Sequence, residues 1–138
     1  MEAKNKARGQ ALISVVDDDE LTRRSTRRLL RSAGLRAEAF ASAAEFLTSG
    51  LAEETACLIL DLRMPGMDGL QLQRHLAESL TPVPIIFLSA HASEEEERQA
   101  LQAGAVRFLQ KPVSEDALLL AIRDALNSPP PNNEREIP

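Results

Sequence analysis

Five short apolar runs alternate with helix-forming stretches along the chain, and this alternation restricts the folds that the sequence can adopt. Each run is aliphatic and ends at turn residues, which is typical of a buried strand. The predicted strands cover residues 12–16, 35–40, 56–61, 85–89 and 106–109. Consecutive strand–helix units favour a parallel sheet with right-handed crossovers and helices on both faces. The sequence therefore predicts an α/β fold, a doubly wound five-stranded parallel sheet with five helices.

The stretches between the runs carry signals for where helices begin and end. Two of them begin with a predicted capping box, Ser42 with Glu45 and Ser93 with Glu96, in which side chain and backbone exchange hydrogen bonds. Gly residues such as Gly34 follow the periodic segments, as is common at helix ends. The helices are predicted over residues 20–32, from 42 to near 50, from 68 onward, over 93–103 and over 114–127, with a polar connection at 51–55.

Length and composition favour one domain. With 138 residues, of which 43% are hydrophobic, the chain can bury one core and is too short for two ordinary domains. Residues 1–10 are polar and unpatterned, so we expect a disordered N-terminal segment. Residues 128–138 are polar and rich in Pro, which is typical of a linker or tail. The predicted domain is therefore residues 11–127.

Charge and residue types exclude several functions for such a domain. A net charge of -5 argues against a surface that neutralises phosphates, and the absence of Trp and Tyr leaves few stacking platforms for bases. We therefore expect no nucleic-acid contact by this domain itself. The single Cys57 lies in a buried run and fits core packing in a reducing compartment. No run reaches membrane-spanning length and no signal peptide is evident, so we expect a cytoplasmic protein without membrane contact.

Polar side chains stand at the ends of four of the five predicted strands. Asp17 and Asp18 follow the first strand, and Asp61 ends the third. Ser89 ends the fourth strand, and Lys111 comes shortly after the fifth. Because the carboxyl ends of parallel strands share one edge, where ligands bind in open α/β sheets, we expect these side chains to converge.

The types of these side chains indicate phosphoryl chemistry. Two carboxylates about 4 Å apart repel by about 4 kcal/mol at an effective dielectric near 20, so a cation is needed. Carboxylate oxygens suit Mg²⁺, which also binds phosphoryl oxygens, while Lys111 supplies a second positive charge and Ser89 a hydroxyl donor. These groups can place a phosphoryl group on Asp61 by nucleophilic attack of its carboxylate. We expect a cis Lys111–Pro112 bond, which would aim Lys111 toward Asp61. Any one of these residues, taken alone, is better explained as a helix-capping residue or as a solvent-exposed residue at the end of a strand.

Four motifs carry a resemblance to a known family. They are VVDDD at 15–19, LDLRMPGMDG at 60–69, LSAH at 88–91 and FLQKP at 108–112. With these motifs the chain resembles the receiver domains of two-component response regulators over residues 11–127, and most of all those that control helix-turn-helix transcription factors. The resemblance implies the flavodoxin-like strand order 2-1-3-4-5.

The resemblance also implies a role for each acidic residue. Asp61 is expected to accept the phosphoryl group from a sensor histidine kinase. Mg²⁺ is expected to bind Asp18, Asp61 and the main-chain carbonyl of Arg63, with Asp17 acting through a metal-bound water.

The remaining motif residues are expected to assist the reaction and to transmit its result. Lys111 fills the phosphate-contact position, and Ser89 and Phe108 fill the switch positions. Ser89 replaces a commoner Thr, and Phe108 replaces a Tyr, so it keeps the ring without the hydroxyl. Arg63 and His91 are expected to modulate the reaction.

The function implied is a phosphorylation-dependent signalling module. Phosphorylation is expected to switch the face formed by the fourth helix, fifth strand and fifth helix, and to promote a homodimer. Output is expected to be control of transcription through a further domain or partner. The chain is expected to act as a self-phosphorylating acceptor that also dephosphorylates itself, and not as a turnover enzyme.

Two other functions fit parts of the pattern. A Mg²⁺-dependent phosphohydrolase also forms an aspartyl phosphate, but it needs a second Asp two residues after the nucleophile, where this chain has Arg63, and a cap that no insertion supplies. A flavodoxin-like cofactor carrier needs a phosphate-binding Gly/Ser/Thr loop after the first strand and aromatic residues to stack a flavin, and the sequence offers neither.

Overall fold

The structure is a computed structural model that describes residues 11–127. The predictions for residues 1–10 and 128–138 lie outside the described residues. The strands are β1 (Leu12–Val16), β2 (Arg36–Phe40), β3 (Thr55–Leu60), β4 (Ile85–Ser89) and β5 (Arg107–Gln110). The helices are α1 (Glu20–Ser32), α2 (Ala43–Thr48), α3 (Gly69–Glu78), α4 (Glu94–Gln102) and α5 (Glu115–Asn127), with a short 3₁₀ helix at Ala52–Glu54.

All five strands pair in parallel, in the order β2-β1-β3-β4-β5. This confirms the predicted doubly wound sheet and its strand order. The register sets Val16 level with Phe40 on one side and with Leu60 on the other. Asp17 and Asp61, which follow Val16 and Leu60, therefore leave the sheet at the same edge.

The sheet is buried on both faces, as a run of aliphatic residues in each central strand requires. On one face α2, α3 and α4 pack against β3 and β4 through side chains that include Phe46, Leu72 and Phe87. On the other face α1 and α5 pack through side chains that include Leu30 and Ile122. Helices thus cover both faces as predicted, and Cys57 is buried in the second of these cores. Among residues 11–127 no helix is long and apolar enough to cross a membrane.

The structure corrects several predicted boundaries. The connection predicted at 51–55 contains a 3₁₀ helix, and its last residue, Thr55, begins β3. The Thr55 hydroxyl donates to the Leu51 carbonyl at 2.7 Å and lies 2.8 Å from the Ser14 hydroxyl oxygen, which ties this residue to the buried β1. Asp61, predicted as the last residue of the third strand, lies one residue beyond β3.

The helix caps agree only in part with the sequence. The box formed by Ser93 and Glu96 is present, and a further box, which was not predicted, is formed by Asp68 and Gln71 at the start of α3. At α2 only half of the predicted box forms, because Glu45 accepts a hydrogen bond from the amide of Ala41 in place of Ser42. The Ser42 side chain still accepts from the Glu45 amide at 3.1 Å.

Candidate functional site

Three carboxylates and one ammonium group meet at the carboxyl edge of the sheet. Asp17, Asp18 and Asp61 each offer an oxygen, and these oxygens lie within 4.8 Å of one another. Lys111 Nζ lies 3.1 Å from Asp17 Oδ2 and 3.7 Å from Asp61 Oδ2. Sequence separation between Lys111 and Asp17 is 94 residues, so the fold alone creates this cluster. The Lys111–Pro112 bond is cis, as expected.

Backbone hydrogen bonds hold the two buried carboxylates in place. The Asp61 amide donates to the Val16 carbonyl at 3.0 Å, and the Asp17 amide donates to the Phe40 carbonyl at 3.1 Å. These bonds extend the sheet by one residue on each strand. The Asp17 side chain also accepts from the Asp19 amide at 2.8 Å. Only 3% of Asp17 and 8% of Asp61 is exposed, so solvent screens these charges poorly.

The third acidic residue after β1, Asp19, belongs to α1 and not to the cluster. Its side chain accepts hydrogen bonds from the amide and the hydroxyl of Thr22 at 3.1 and 2.5 Å. The Thr22 bonds lower the pKa of Asp19 from its ordinary value. Helix capping therefore accounts for Asp19 but leaves Asp17 and the exposed Asp18 free for other contacts at the site.

The environment of Asp61 shifts its proton affinity upward. Burial, together with the nearby charge of Asp17, raises the pKa of Asp61 to about 6, while Lys111 acts in the opposite direction. One ammonium group thus compensates the carboxylates only in part. At neutral pH Asp61 is still mostly ionised, so it remains a competent nucleophile.

The carboxylate cluster fits a hard divalent cation. Mg²⁺ prefers oxygen ligands, keeps several waters and binds through one or two carboxylates. Asp18 is exposed, so a cation can reach the cluster from solvent while Asp61 stays buried. All three ligand candidates are carboxylates, whereas a zinc or copper site would be expected to include imidazole or thiolate.

Ser89 and Phe108, predicted as switch residues, lie on the neighbouring strands β4 and β5. Ser89 ends β4, is 2% exposed, and its carbonyl accepts from the Lys111 amide at 2.9 Å. The half-buried ring of Phe108 stacks on the fully buried ring of Phe87, with centroids 5.5 Å apart and planes inclined by 22°. Nothing in the sequence pattern indicates Phe87 as the partner of this ring.

Arg63 and His91, predicted as modulating residues, are in contact. Arg63 Nε donates to the His91 main-chain carbonyl at 3.0 Å, and Arg63 Nη2 donates to Glu96 Oε1 at 2.6 Å. The sequence predicted Glu96 only as a capping residue. Nothing in its spacing could reveal the pair, because 33 residues separate Arg63 from Glu96.

Gly69 is a further residue of the site that sequence analysis did not assign. Its amide donates to the Leu62 carbonyl at 2.8 Å. A Cβ at Gly69 would lie 2.5 Å from the Asp61 carbonyl oxygen and 3.0 Å from Leu62 Cα. Real Cβ atoms do not approach backbone so closely, so only glycine lets α3 begin directly against the Asp61 backbone.

Known proteins resemble this chain along most of its length. The family model of the response regulator receiver domain matches residues 13–123. The response regulator protein TmoT of Ectopseudomonas mendocina is 44% identical over 125 residues, which are 91% of this chain and 57% of that protein. Nodulation protein W of Bradyrhizobium diazoefficiens is 43% identical over 117 residues, which are 85% of this chain and 52% of that protein. The chain spans little more than half the length of these relatives.

Two solved structures have the same architecture. The response regulator StyR superposes with a TM-score of 0.78 at 45% identity, over 83% of this chain and 58% of that one. The structure described as FixJ-N superposes with a TM-score of 0.77 at 32% identity, over 86% of this chain and 94% of that one. The match to FixJ-N covers nearly all of that chain, so the fold described above corresponds to the whole FixJ-N structure.

Proposed function

This chain belongs to the response regulator receiver domain family, and we propose that it accepts a phosphoryl group on Asp61 from a sensor histidine kinase, with Mg²⁺ as cofactor. Its relatives include transcriptional regulators such as TdiR of Thauera aromatica. The observation that carries the proposal is the cluster itself, in which the buried Asp61 lies 3.7 Å from Lys111 and beside two further carboxylates. A regulated transcriptional output through a further domain or partner is part of the proposal.

In the proposed reaction, an oxygen of the Asp61 carboxylate attacks the phosphorus atom of a phosphohistidine. A P–O bond forms and the P–N bond to the donor ring breaks. The leaving nitrogen keeps the electron pair, and the ring, which carries a proton on its other nitrogen, remains as a neutral imidazole. Lys111, now 3.1 Å from Asp17, is placed to contact an oxygen of the new acyl phosphate. Asp18, Asp61 and the Arg63 carbonyl would hold Mg²⁺, with Asp17 acting through a water. When bound, the ion supplies positive charge to the transferring oxygens.

The first prediction concerns the metal. Wild-type protein incubated with Mg²⁺ and a small-molecule phosphodonor should gain the mass of one phosphoryl group, and the required Mg²⁺ concentration should rise at least tenfold in Asp18→Ala, because a ligand carboxylate is lost. Intact-mass spectrometry over a Mg²⁺ series measures this. Asp19→Asn is the matched control, since Asn also caps helices and removes a neighbouring charge. An unchanged Mg²⁺ requirement in Asp18→Ala would contradict the proposed metal site.

The phosphohydrolase alternative is less well supported by the site. Its general acid would stand two residues after Asp61, and that position is occupied by Arg63, whose guanidinium is engaged by Glu96. A guanidinium stays protonated at all ordinary pH values and cannot deliver a proton to a leaving group. Turnover of a simple phosphate ester by wild-type protein would favour the hydrolase. Phosphorylation without turnover favours the signalling module.

The proposed switch starts from charge. A phosphoryl group adds about -1.5 to -2 charges and three strong hydrogen-bond acceptors. The Ser89 hydroxyl can donate to one of them if Ser89 and its loop move toward the phosphoryl group. The space left behind can receive the Phe108 ring, which changes the face formed by α4, β5 and α5. Packed cores favour discrete arrangements, so we expect a population shift between two states. The helices of this face each carry one exposed Leu: Leu101 of α4 is 42% exposed and Leu120 of α5 is 50% exposed.

The second prediction concerns association. Wild-type protein should shift from monomer toward dimer when Mg²⁺ and beryllofluoride, a phosphoryl mimic, are added, because the altered face pairs with a second copy of itself. Sedimentation velocity measures the mass distribution. Ser89→Ala should bind the mimic and dimerise less, since it lacks the hydroxyl that responds to the new group. If the mimic binds and the mass distribution is unchanged, the output surface serves a different partner.

A further inference from the structure

One guanidinium connects the two loops that flank the site. Arg63 follows the proposed phosphoacceptor Asp61 by two residues, in the loop between β3 and α3. Its Nε donates to the main-chain carbonyl of His91, which lies two residues after Ser89 in the loop between β4 and α4. Any displacement of that loop relative to Asp61 therefore changes the 3.0 Å contact between Arg63 and His91.

The same guanidinium is bound to the first turn of α4. Glu96 Oε1 accepts from Arg63 Nη2 at 2.6 Å and also from the amide of Ser93 at 2.9 Å, while Ser93 Oγ accepts from the Glu96 amide at 3.1 Å. The Ser93 amide bond and the nearby Arg63 both lower the pKa of Glu96, so its carboxylate stays ionised at neutral pH. The helix cap and the ion pair therefore share one oxygen.

We propose that Arg63 and Glu96 form a latch that holds the β4–α4 loop, residues 90–93, in its unphosphorylated arrangement. Arg63 is thus a positioning residue that acts on Ser89 through the His91 carbonyl. Phosphorylation of Asp61 must work against this latch to draw Ser89 toward the phosphoryl group. The inference deepens the proposed function and rests on it.

The contacts of the latch set its strength. The Arg63 side chain is 58% exposed and the Glu96 side chain 26% exposed, so solvent weakens the pair. A partly exposed pair of this kind can bias an equilibrium between two loop arrangements without blocking it, as a switch requires. Another pair of α4, Arg98 with Glu95, is more exposed, at 55% and 57% of the two side chains, and stays within the helix. It shares the chemistry of the latch without its connection to Asp61.

The test measures how tightly the protein binds beryllofluoride with Mg²⁺. Glu96→Gln keeps an oxygen for the Ser93 amide, because Gln also serves in a capping box, but removes the charge that attracts Arg63. It should bind the mimic about two- to fivefold more tightly than wild type, the range expected when one partly exposed ion pair no longer opposes the bound state. The affinity of Arg63→Ala for the mimic should rise by at least as much, because this variant also loses the contact with His91. Without Trp or Tyr to report binding, titration calorimetry is suitable.

Two controls make the outcome decisive. Glu95→Gln removes a similar charge one residue earlier and should bind the mimic as wild type does. In the double variant of Arg63→Ala and Glu96→Gln, the gain in the free energy of binding the mimic should be smaller than the sum of the gains in the two single variants, because both changes break the same ion pair. In mimic-free Glu96→Gln, the NMR amide shifts of residues 90–93 should lie displaced toward the positions they occupy in mimic-bound wild type.

The results separate the latch from the function on which it rests. If wild-type protein binds no beryllofluoride, the proposed phosphoacceptor site is wrong. If wild type binds the mimic but neither Glu96→Gln nor Arg63→Ala binds it more tightly, the latch is wrong and the phosphoacceptor site stands. An equal gain in Glu95→Gln would also overturn the latch, because it would show a general effect of charge on α4.

Discussion

Asp61→Asn should gain no phosphoryl group under conditions in which wild-type protein gains one. The amide of Asn has nearly the size and shape of the carboxylate but lacks a nucleophilic oxygen, so no acyl phosphate can form. The backbone bond from the amide of residue 61 to the Val16 carbonyl does not depend on the side chain, so the position of the residue is retained. Intact-mass spectrometry after incubation with Mg²⁺ and a small-molecule phosphodonor measures the result, and the expected loss is complete.

A matched control shows that the loss belongs to Asp61. Asp68→Asn makes the same chemical change at the cap of α3, where the side chain accepts from the Gln71 amide at 2.9 Å and where Asn is also a good cap. It should be phosphorylated like wild type. If Asp61→Asn gains the same adduct, another side chain is the acceptor. Peptide mapping would then distinguish Asp17 from Asp18, the two other carboxylates of the cluster.

The convergence of the cluster followed from the sequence for a topological reason. All strands of a parallel sheet end at shared edges whatever their order, so polar residues such as Asp17 and Asp61 after apolar runs leave the sheet on the same side. How close they come depends on the strand order, and here β1 and β3 are neighbours. The presence of two cores could also be predicted from the sequence, because uninterrupted aliphatic residues in a strand imply that both of its faces are covered.

Contacts between segments that are distant in the sequence could not be predicted from the sequence pattern. The pair of Arg63 and Glu96 and the close approach of Gly69 to the Asp61 carbonyl depend on how two segments meet in space, and neither leaves a periodic signal. The incomplete cap of α2 has the same origin, since the choice of Glu45 between the amides of Ala41 and Ser42 is made by local backbone geometry. Resemblance to a family draws attention to Gly69 as part of a motif, but the structure supplies the reason.

The buried charge of Asp61 is also expected to weaken the fold. Burial and the neighbouring Asp17 raise its pKa from 3.8 to about 6. Below about pH 4 the carboxyl is protonated in both states and carries no penalty. Between about pH 4 and pH 6 the folded protein keeps a proton that the unfolded chain releases, so the free energy of unfolding falls as the pH rises. Above about pH 6 the penalty is constant, at up to about 3 kcal/mol for a shift of this size.

Asp61→Asn should therefore be more stable than wild type at neutral pH in the absence of Mg²⁺. We expect a gain of about 1 to 3 kcal/mol in the free energy of unfolding near pH 7, which shrinks toward zero near pH 4, where wild-type Asp61 is neutral as well. Urea unfolding followed by circular dichroism across this pH range measures the difference. Glu95 and Glu96, whose pKa values are lowered, titrate in both proteins and cancel in the comparison.

Mg²⁺ offers an independent check on the cause of this difference. A cation that binds the folded cluster of Asp17, Asp18 and Asp61 stabilises wild-type protein in proportion to its occupancy. It should therefore reduce the difference in the free energy of unfolding between wild type and Asp61→Asn, which has lost one of the ligands.

The pH dependence gives a second check. A difference in the free energy of unfolding that stays the same from pH 4 to pH 7 would show that packing, and not the charge of Asp61, separates the two proteins. The predicted pattern instead identifies a site whose chemistry is maintained at the expense of stability until a cation occupies it.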